Sequence, residues 1–133
     1  TLSLLEDGQA DIGTAACILD PADYQNPNVV KVRVSFKNKQ GFAQDFNRNV
    51  KSVNQCYHHL GIYAFRPKSL ENFVILGQSK NEKQRGLEQM RALDNGMKIK
   101  VAFVNSKPFS VDTKEDLIKI RNFLKHKNNI IRC

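Results

Sequence analysis

The chain has 133 residues, a length typical of one domain, and a formal net charge of +8, from 21 Lys and Arg against 13 Asp and Glu. This charge favours an anionic partner, but the basic residues are dispersed, Trp is absent and no aromatics interleave with arginine, so nucleic-acid binding is not predicted. The three cysteines lack CxxC spacing, which argues against zinc or a disulfide framework, and no apolar run reaches the length of a membrane span.

The first half of the chain predicts turns and a β-hairpin. Residues 2–10 are expected to end a helix at Gly8, and two X-Pro steps near residues 20–28 favour turns. Residues 29–36 alternate Val and Phe with polar residues, which is the period-two pattern of a strand. A turn over residues 37–41, with Gly41 available for positive φ, then leads into a return strand over residues 42–46.

The second half predicts strands that alternate with helices. A short strand is expected at residues 60–65, followed by a helix over 70–76 capped by Ser69. Apolar spacing predicts a second helix over residues 82–94, stopped by Asn95-Gly96. A strand at residues 98–104 precedes a helix opened by a capping box at Thr113 and Asp116. This alternation indicates the α/β class.

Three groups of residues could carry chemistry. Asp112, at a helix start after a strand, could hold Mg²⁺ or could simply favour the helix dipole. His59 and Tyr63 are an even number of positions apart and could share one face toward a ligand, or lie at a wet strand edge. Glu88 and Gln89 could hydrogen-bond sugar hydroxyls, or lie on a solvated helix face.

Taken in order, these segments resemble one known family. Residues 59–66 (HLGIYAFR) resemble the H-[IL]-G-I-Y-x-[YF]-R segment of the 3-deoxy-manno-octulosonate (Kdo) cytidylyltransferases, the CMP-Kdo synthetases. Residues 87–96 are similar to the family's LEQLR-x-L-x-x-G, and residues 111–117 to its [VI]-D-T-P-E-D-L. Residues 20–32 resemble its D-P…NPNVVKVV. Four motifs in the family's order cover nearly the whole chain.

The resemblance implies a function and a fold. The family transfers CMP from CTP to Kdo and releases pyrophosphate, which activates the sugar for lipopolysaccharide synthesis. The implied fold is part of a three-layer α/β nucleotide-sugar transferase sandwich, Rossmann-like with a mixed sheet, in a cytoplasmic homodimer. Residues 1–133 are expected to form one C-terminal part of that domain, because the family's Arg/Gly-rich nucleotide loop and its QGDEP motif have no counterpart in this sequence.

The resemblance also assigns roles to individual residues. Asp112 matches the family carboxylate that binds Mg²⁺, the implied cofactor, and is the expected catalytic residue. The positions that match contacts to Kdo are His59, Tyr63, Glu88 and Gln89. Arg48 fits the arginine of the family's F-S-R segment, and a guanidinium suits the sugar carboxylate because it can donate two parallel hydrogen bonds.

Departures from the family pattern define the alternatives. The A-P-I-P that follows the F-S-R segment is missing after Arg48, and Arg85 stands where the family has Glu. Ser110 replaces a Gly and Lys114 a Pro. With half of the expected site missing, the chain is predicted not to catalyse the reaction alone. The alternatives are a non-enzymatic relic or structural dimer module of the same family, and a basic nucleic-acid-binding module.

Overall fold

The computed structural model describes the backbone of residues 1–105, 111 and 113–131, with side chains as far as His126. The described residues form five strands and four α-helices. The strands are β1 (Ile12–Cys17), β2 (Lys31–Val34), β3 (Gln40–Asn47), β4 (Cys56–Phe65) and β5 (Ile99–Phe103). The helices are α1 (Pro67–Ile75), α2 (Lys80–Arg85), α3 (Gln89–Asp94) and α4 (Lys114–Ile131).

The five strands close into a barrel in the order β1-β4-β2-β3-β5. β5 closes it by pairing parallel with β1 and antiparallel with β3, and the other pairs are antiparallel. The sheet is therefore mixed, as expected for an α/β protein. The three-layer Rossmann-like sandwich, however, is not seen in the described residues. Irregular register within the β1–β4 and β2–β3 pairs accompanies the curvature that closure requires.

The core fills the barrel and continues beneath the helices. The largest fully buried apolar side chains include Phe46, Ile12 and Ile99, one each from β3, β1 and β5. Leu87 and Met90 pack on this cluster from the α2–α3 segment. The barrel and the helices that pack on it therefore share one core.

Strand β1 was missed by sequence reasoning. All six of its residues, IGTAAC, are buried, so the segment lacks the apolar and polar alternation that marks a half-exposed strand. The other predicted strands are confirmed, with shifted ends. In the predicted turn, Asn38 and Lys39 adopt the positive φ values of 52° and 60° that were expected of Gly41. Gly41 is needed for space instead, because a Cβ there would lie 2.4 Å from the Ser35 carbonyl oxygen.

The predicted helix over residues 82–94 was wrong. It is two short helices, because Gly86 takes the left-handed conformation (φ 62°) and ends α2. The predicted helix over 70–76 begins earlier, at Pro67, and Ser69 is no cap because its hydroxyl binds the Asp11 carboxylate (2.9 Å). Residues 2–10 contain a single 3₁₀ turn, Leu2–Leu5.

The capping box that opens α4 is confirmed. The Thr113 hydroxyl accepts from the Asp116 amide and the Asp116 carboxylate accepts from the Thr113 amide, both at 3.1 Å. In the part of the chain that the structure describes, no helix combines the length and apolar character needed to cross a bilayer.

Candidate functional site

A cavity of about 310 Å³ opens between the barrel wall and the helices that follow β4. One wall is the β1–β4 pair, the second is α1, and the third is the segment that joins α2 to α3. The lining residues are Ile12, Tyr63, Phe65, Leu70, Phe73, Val74, Gly86, Leu87, Glu88 and Gln89. Its walls are mainly apolar but include a phenol, a carboxylate and an amide, which is typical of a small-molecule site.

His59 and Tyr63 lie together on β4. Their ring centroids are 5.5 Å apart, and the rings of His59 and Phe46 form a T-shaped contact with centroids 4.9 Å apart. His59 is buried, so the interpretation as a wet strand edge does not hold for it. Tyr63 reaches the cavity, which places the histidine one ring behind the cavity wall.

An irregularity in the β1–β4 pairing lies in the part of β4 that carries Tyr63. Gly13 pairs with Ala64 but Ala15 pairs with Leu60, so residues 61–63 of β4 lie opposite the single residue Thr14. A bulge of this kind leaves carbonyl groups outside the regular ladder and redirects side chains, a frequent feature beside functional sites.

The hydroxyl of Thr14 contacts backbone carbonyls of β4 at the bulge. It lies 2.7 Å from the Ile62 carbonyl oxygen and 3.2 Å from that of Leu60. The same oxygen is 2.9 Å from Nε2 of His59, and Thr14 is fully buried. Thr14 thus joins both sides of the bulge to the histidine ring.

Burial sets the charge of both rings. It lowers the pKa of His59 to about 4, with a smaller contribution from neighbouring His58, so the ring is neutral at pH 7. Burial, together with a smaller contribution from the Glu88 carboxylate, raises the pKa of Tyr63 to about 12. The phenol therefore keeps its proton and can donate a hydrogen bond to a ligand.

Glu88 and Gln89 enter the cavity from the α2–α3 segment. The left-handed Gly86 turns the chain out of α2, and Leu87 is then buried in the core. Glu88 follows as the exposed cap of α3, and Gln89 is buried at its start. The structure therefore places one carboxylate and one amide at the cavity. Gln89 is buried and so does not lie on a solvated helix face, whereas Glu88 is exposed.

A buried ion pair fixes that segment against α1. The Arg91 guanidinium donates to both carboxylate oxygens of Glu82, at 2.9 and 2.6 Å, and lies 5.0 Å above the Phe73 ring. Glu82 also completes a capping box with Ser79 at the start of α2. Because Phe73 lines the cavity, these contacts hold α1, α2 and α3 in the arrangement that forms it.

Arg48 does not line the cavity. Its guanidinium donates to three backbone carbonyls, those of Pro27 (3.1 Å), Arg85 (3.3 Å) and Gly86 (3.4 Å). The buried ammonium group of Lys31 donates to the Arg48 carbonyl at 2.7 Å. Arg48 therefore holds the turn that precedes Glu88.

Arg85, which departs from the family pattern, has structural partners. It forms an ion pair with Asp45 and donates to the Phe46 carbonyl at 2.8 Å. The substitution thus ties the end of α2 to β3.

The sequence of the chain is similar to those of curated cytidylyltransferases. The chain is 44% identical over 124 residues to the 3-deoxy-manno-octulosonate cytidylyltransferase of Brucella ovis, a match that covers 90% of this chain and 49% of that protein. The Sinorhizobium medicae enzyme of the same name is also 44% identical, over 127 residues, 92% of this chain and 51% of that protein. No family model matches the chain.

The fold agrees with the sequence match. The structure of a CMP:2-keto-3-deoxy-manno-octonic acid synthetase complexed with CTP aligns with a TM-score of 0.79 at 27% identity, over 95% of this chain and 54% of that one. The chain matches the C-terminal portion of the CMP-Kdo synthetases. It spans about half the length of the curated relatives it matches.

The CMP-Kdo synthetase motif that carries the expected metal ligand is only partly described. Asp112 lies outside the described residues, as does Ser110, so the structure does not place the expected catalytic and metal-binding carboxylate. Among residues 1–105, 111 and 113–131, no group of three or more His, Cys, Asp or Glu residues could hold a metal ion.

Sequence reasoning missed the apolar walls of the cavity and Thr14. Phe65 and Phe73 were assigned to a strand and a helix without a site role, yet both line the cavity. Thr14 lies among small buried residues with no motif or spacing around it. Its importance comes from the bulge in a partner strand distant in sequence, for which the sequence offers no signal.

Proposed function

We propose that the chain forms the sugar-binding part of a CMP-Kdo synthetase, which transfers CMP from CTP to Kdo for lipopolysaccharide synthesis. The observation that carries the proposal is convergence of two separate family motifs on one cavity. Tyr63 from one motif and Glu88 and Gln89 from the other line it, and His59 lies directly behind Tyr63.

The chemistry of the cavity suits a polyhydroxylated sugar acid. Glu88 can accept hydrogen bonds from hydroxyl groups, Gln89 can both donate and accept, and the protonated Tyr63 phenol can donate. Phe65 and Phe73 supply apolar surface for the carbon skeleton of the sugar. With His59 neutral, the protein can orient hydroxyl groups here without placing a second charge beside Glu88.

The carboxylate of the sugar must face away from Glu88, because two carboxylates in one apolar cavity repel each other. Arg48 is the proposed partner for it. To bind it, the guanidinium would exchange its carbonyl contacts at Arg85 and Gly86 for the ligand, at the turn that precedes Glu88.

The triphosphate side of the reaction belongs to the portion of the relatives that this chain does not match. The structurally similar synthetase was solved with CTP, which supports CTP as the second substrate. Asp112 is the proposed ligand of Mg²⁺, which would neutralise charge on the phosphates when bound. We further propose that the complete protein forms the three-layer sandwich and acts as a cytoplasmic homodimer.

Calorimetric titration with Kdo tests this proposal. The chain should bind Kdo saturably, and Tyr63→Phe and Glu88→Gln should each weaken binding, while Lys37→Gln in the distant hairpin should not. A relic or a purely structural dimer module predicts no binding. Pyrophosphate release from CTP, Kdo and Mg²⁺ should be absent with this chain alone, and clear turnover would contradict its assignment as half of a site.

A further inference from the structure

The bulge opposite Thr14 constrains where protons lie in the buried part of the site. The threonine hydroxyl carries one hydrogen, and three polar atoms lie within 3.2 Å of its oxygen. Two of these atoms are the carbonyl oxygens of Leu60 and Ile62, which can only accept. The third is Nε2 of His59, which donates or accepts according to the tautomer of the ring.

Only one assignment of hydrogens leaves no repulsive contact. The Thr14 and Ile62 oxygens are 2.7 Å apart, a separation that requires a hydrogen between them, and the carbonyl has none to give. The single hydroxyl hydrogen is therefore directed at the carbonyls. The 2.9 Å contact to His59 can then be favourable only if Nε2 carries a hydrogen and donates it to the threonine oxygen.

We propose that Thr14 is a positioning residue of the sugar site: its hydroxyl holds His59 as the Nε2–H tautomer and in one orientation beside Tyr63, the phenol that lines the cavity. This inference rests on the proposed function for its ligand. The hydrogen on Nε2 follows from the contacts of Thr14, and the buried ring is neutral at pH 7, so Nδ1 carries none.

The packing of the ring supports a fixed orientation. Phe46 forms a T-shaped contact with the ring at 4.9 Å between centroids and Tyr63 lies 5.5 Å away on the cavity side, so the imidazole is held between two aromatic rings as well as by Thr14. A ring held in one rotamer and one tautomer is a fixed support for Tyr63, which lines the cavity.

Nitrogen NMR of the histidine rings tests the tautomer without any ligand. In protein labelled with ¹⁵N at histidine, the His59 signals, assigned by their loss in His59→Gln, should show Nε2 protonated and Nδ1 unprotonated at neutral pH. Thr14→Ser keeps a hydroxyl and should preserve this pattern, whereas Thr14→Val should populate the Nδ1–H tautomer. A wild-type ring protonated on Nδ1 overturns the assignment, even if the valine variant fails to fold.

Kdo titration of the same proteins tests the positioning role. Thr14→Val should weaken Kdo binding about five- to tenfold, the effect of losing one favourable hydrogen bond, and Thr14→Ser should restore most of it. Unchanged affinity in the valine variant overturns the positioning role. Failure of the wild-type chain to bind Kdo overturns the proposed function, whatever tautomer the spectra show.

Discussion

Burial of His59 makes the stability of this fold dependent on pH in a defined direction. The pKa of the folded ring is about 4, below its ordinary value of 6.5. As the pH falls below 6.5 the unfolded chain takes up a proton on this histidine, while the folded chain resists it until near pH 4. The contribution of His59 is therefore fully present above pH 6.5 and is lost as the pH falls toward 4.

The size of this effect follows from the pKa difference. A displacement of one pKa unit corresponds to about 1.4 kcal/mol, so the complete loss is of the order of 3 kcal/mol. Between about pH 7 and about pH 5 the expected share is about 2 kcal/mol. That is a substantial fraction of the total stability of a small domain.

Urea unfolding measures this contribution of His59 to stability. The wild-type chain and His59→Gln are each unfolded at both pH values. The carboxylates titrate in both proteins. The difference between the two proteins in the unfolding free energy lost from about pH 7 to about pH 5 is therefore the contribution of His59. The matched control is His126→Gln, which removes a histidine exposed on α4, away from the buried site. Equal losses of stability in wild type and His59→Gln would refute the argument that burial displaces this pKa.

Three further substitutions test other parts of the account. Gly86→Ala should cost about 1 kcal/mol in thermal unfolding, because the left-handed turn has room for a Cβ but disfavours one, whereas Gly77→Ala, which has room and no positive φ, should cost less. Phe46→Ala should cost about 3–5 kcal/mol in urea unfolding and the half-exposed Phe123→Ala far less; equal costs would contradict the barrel core. In a full-length synthetase that contains this chain, Asp112→Asn should lower CMP-Kdo formation by orders of magnitude, and near-normal turnover would contradict its metal role.

The sequence predicted elements best where one local pattern dominates. Alternating Val and polar residues marked β2, and the spacing of Thr113 and Asp116 marked the start of α4, since each signal arises within a few adjacent residues. β1 was not predicted, because a completely buried strand lacks the alternation of apolar and polar residues. The end of the helix at Gly86 was not predicted, because the helical spacing of apolar residues continues past the glycine to Met90.

The candidate site was predictable in its residues more than in its geometry. Motif order identified Tyr63, Glu88 and Gln89, but their meeting at one cavity depends on barrel closure and on the turn at Gly86. Arg48 was expected to face the sugar, yet its guanidinium binds backbone carbonyls. Sequence reasoning did not predict these contacts, because they join segments that are far apart along the chain.

The central claim is that this chain alone contains the sugar-binding wall of a CMP-Kdo synthetase. The most direct test is to titrate Kdo into ¹⁵N-labelled protein and follow every backbone amide. We predict saturable shifts confined to residues around His59, Tyr63 and the 86–89 segment, at both faces of the cavity. Absence of saturable shifts, or shifts confined to the hairpin around residues 37–42, would contradict the account.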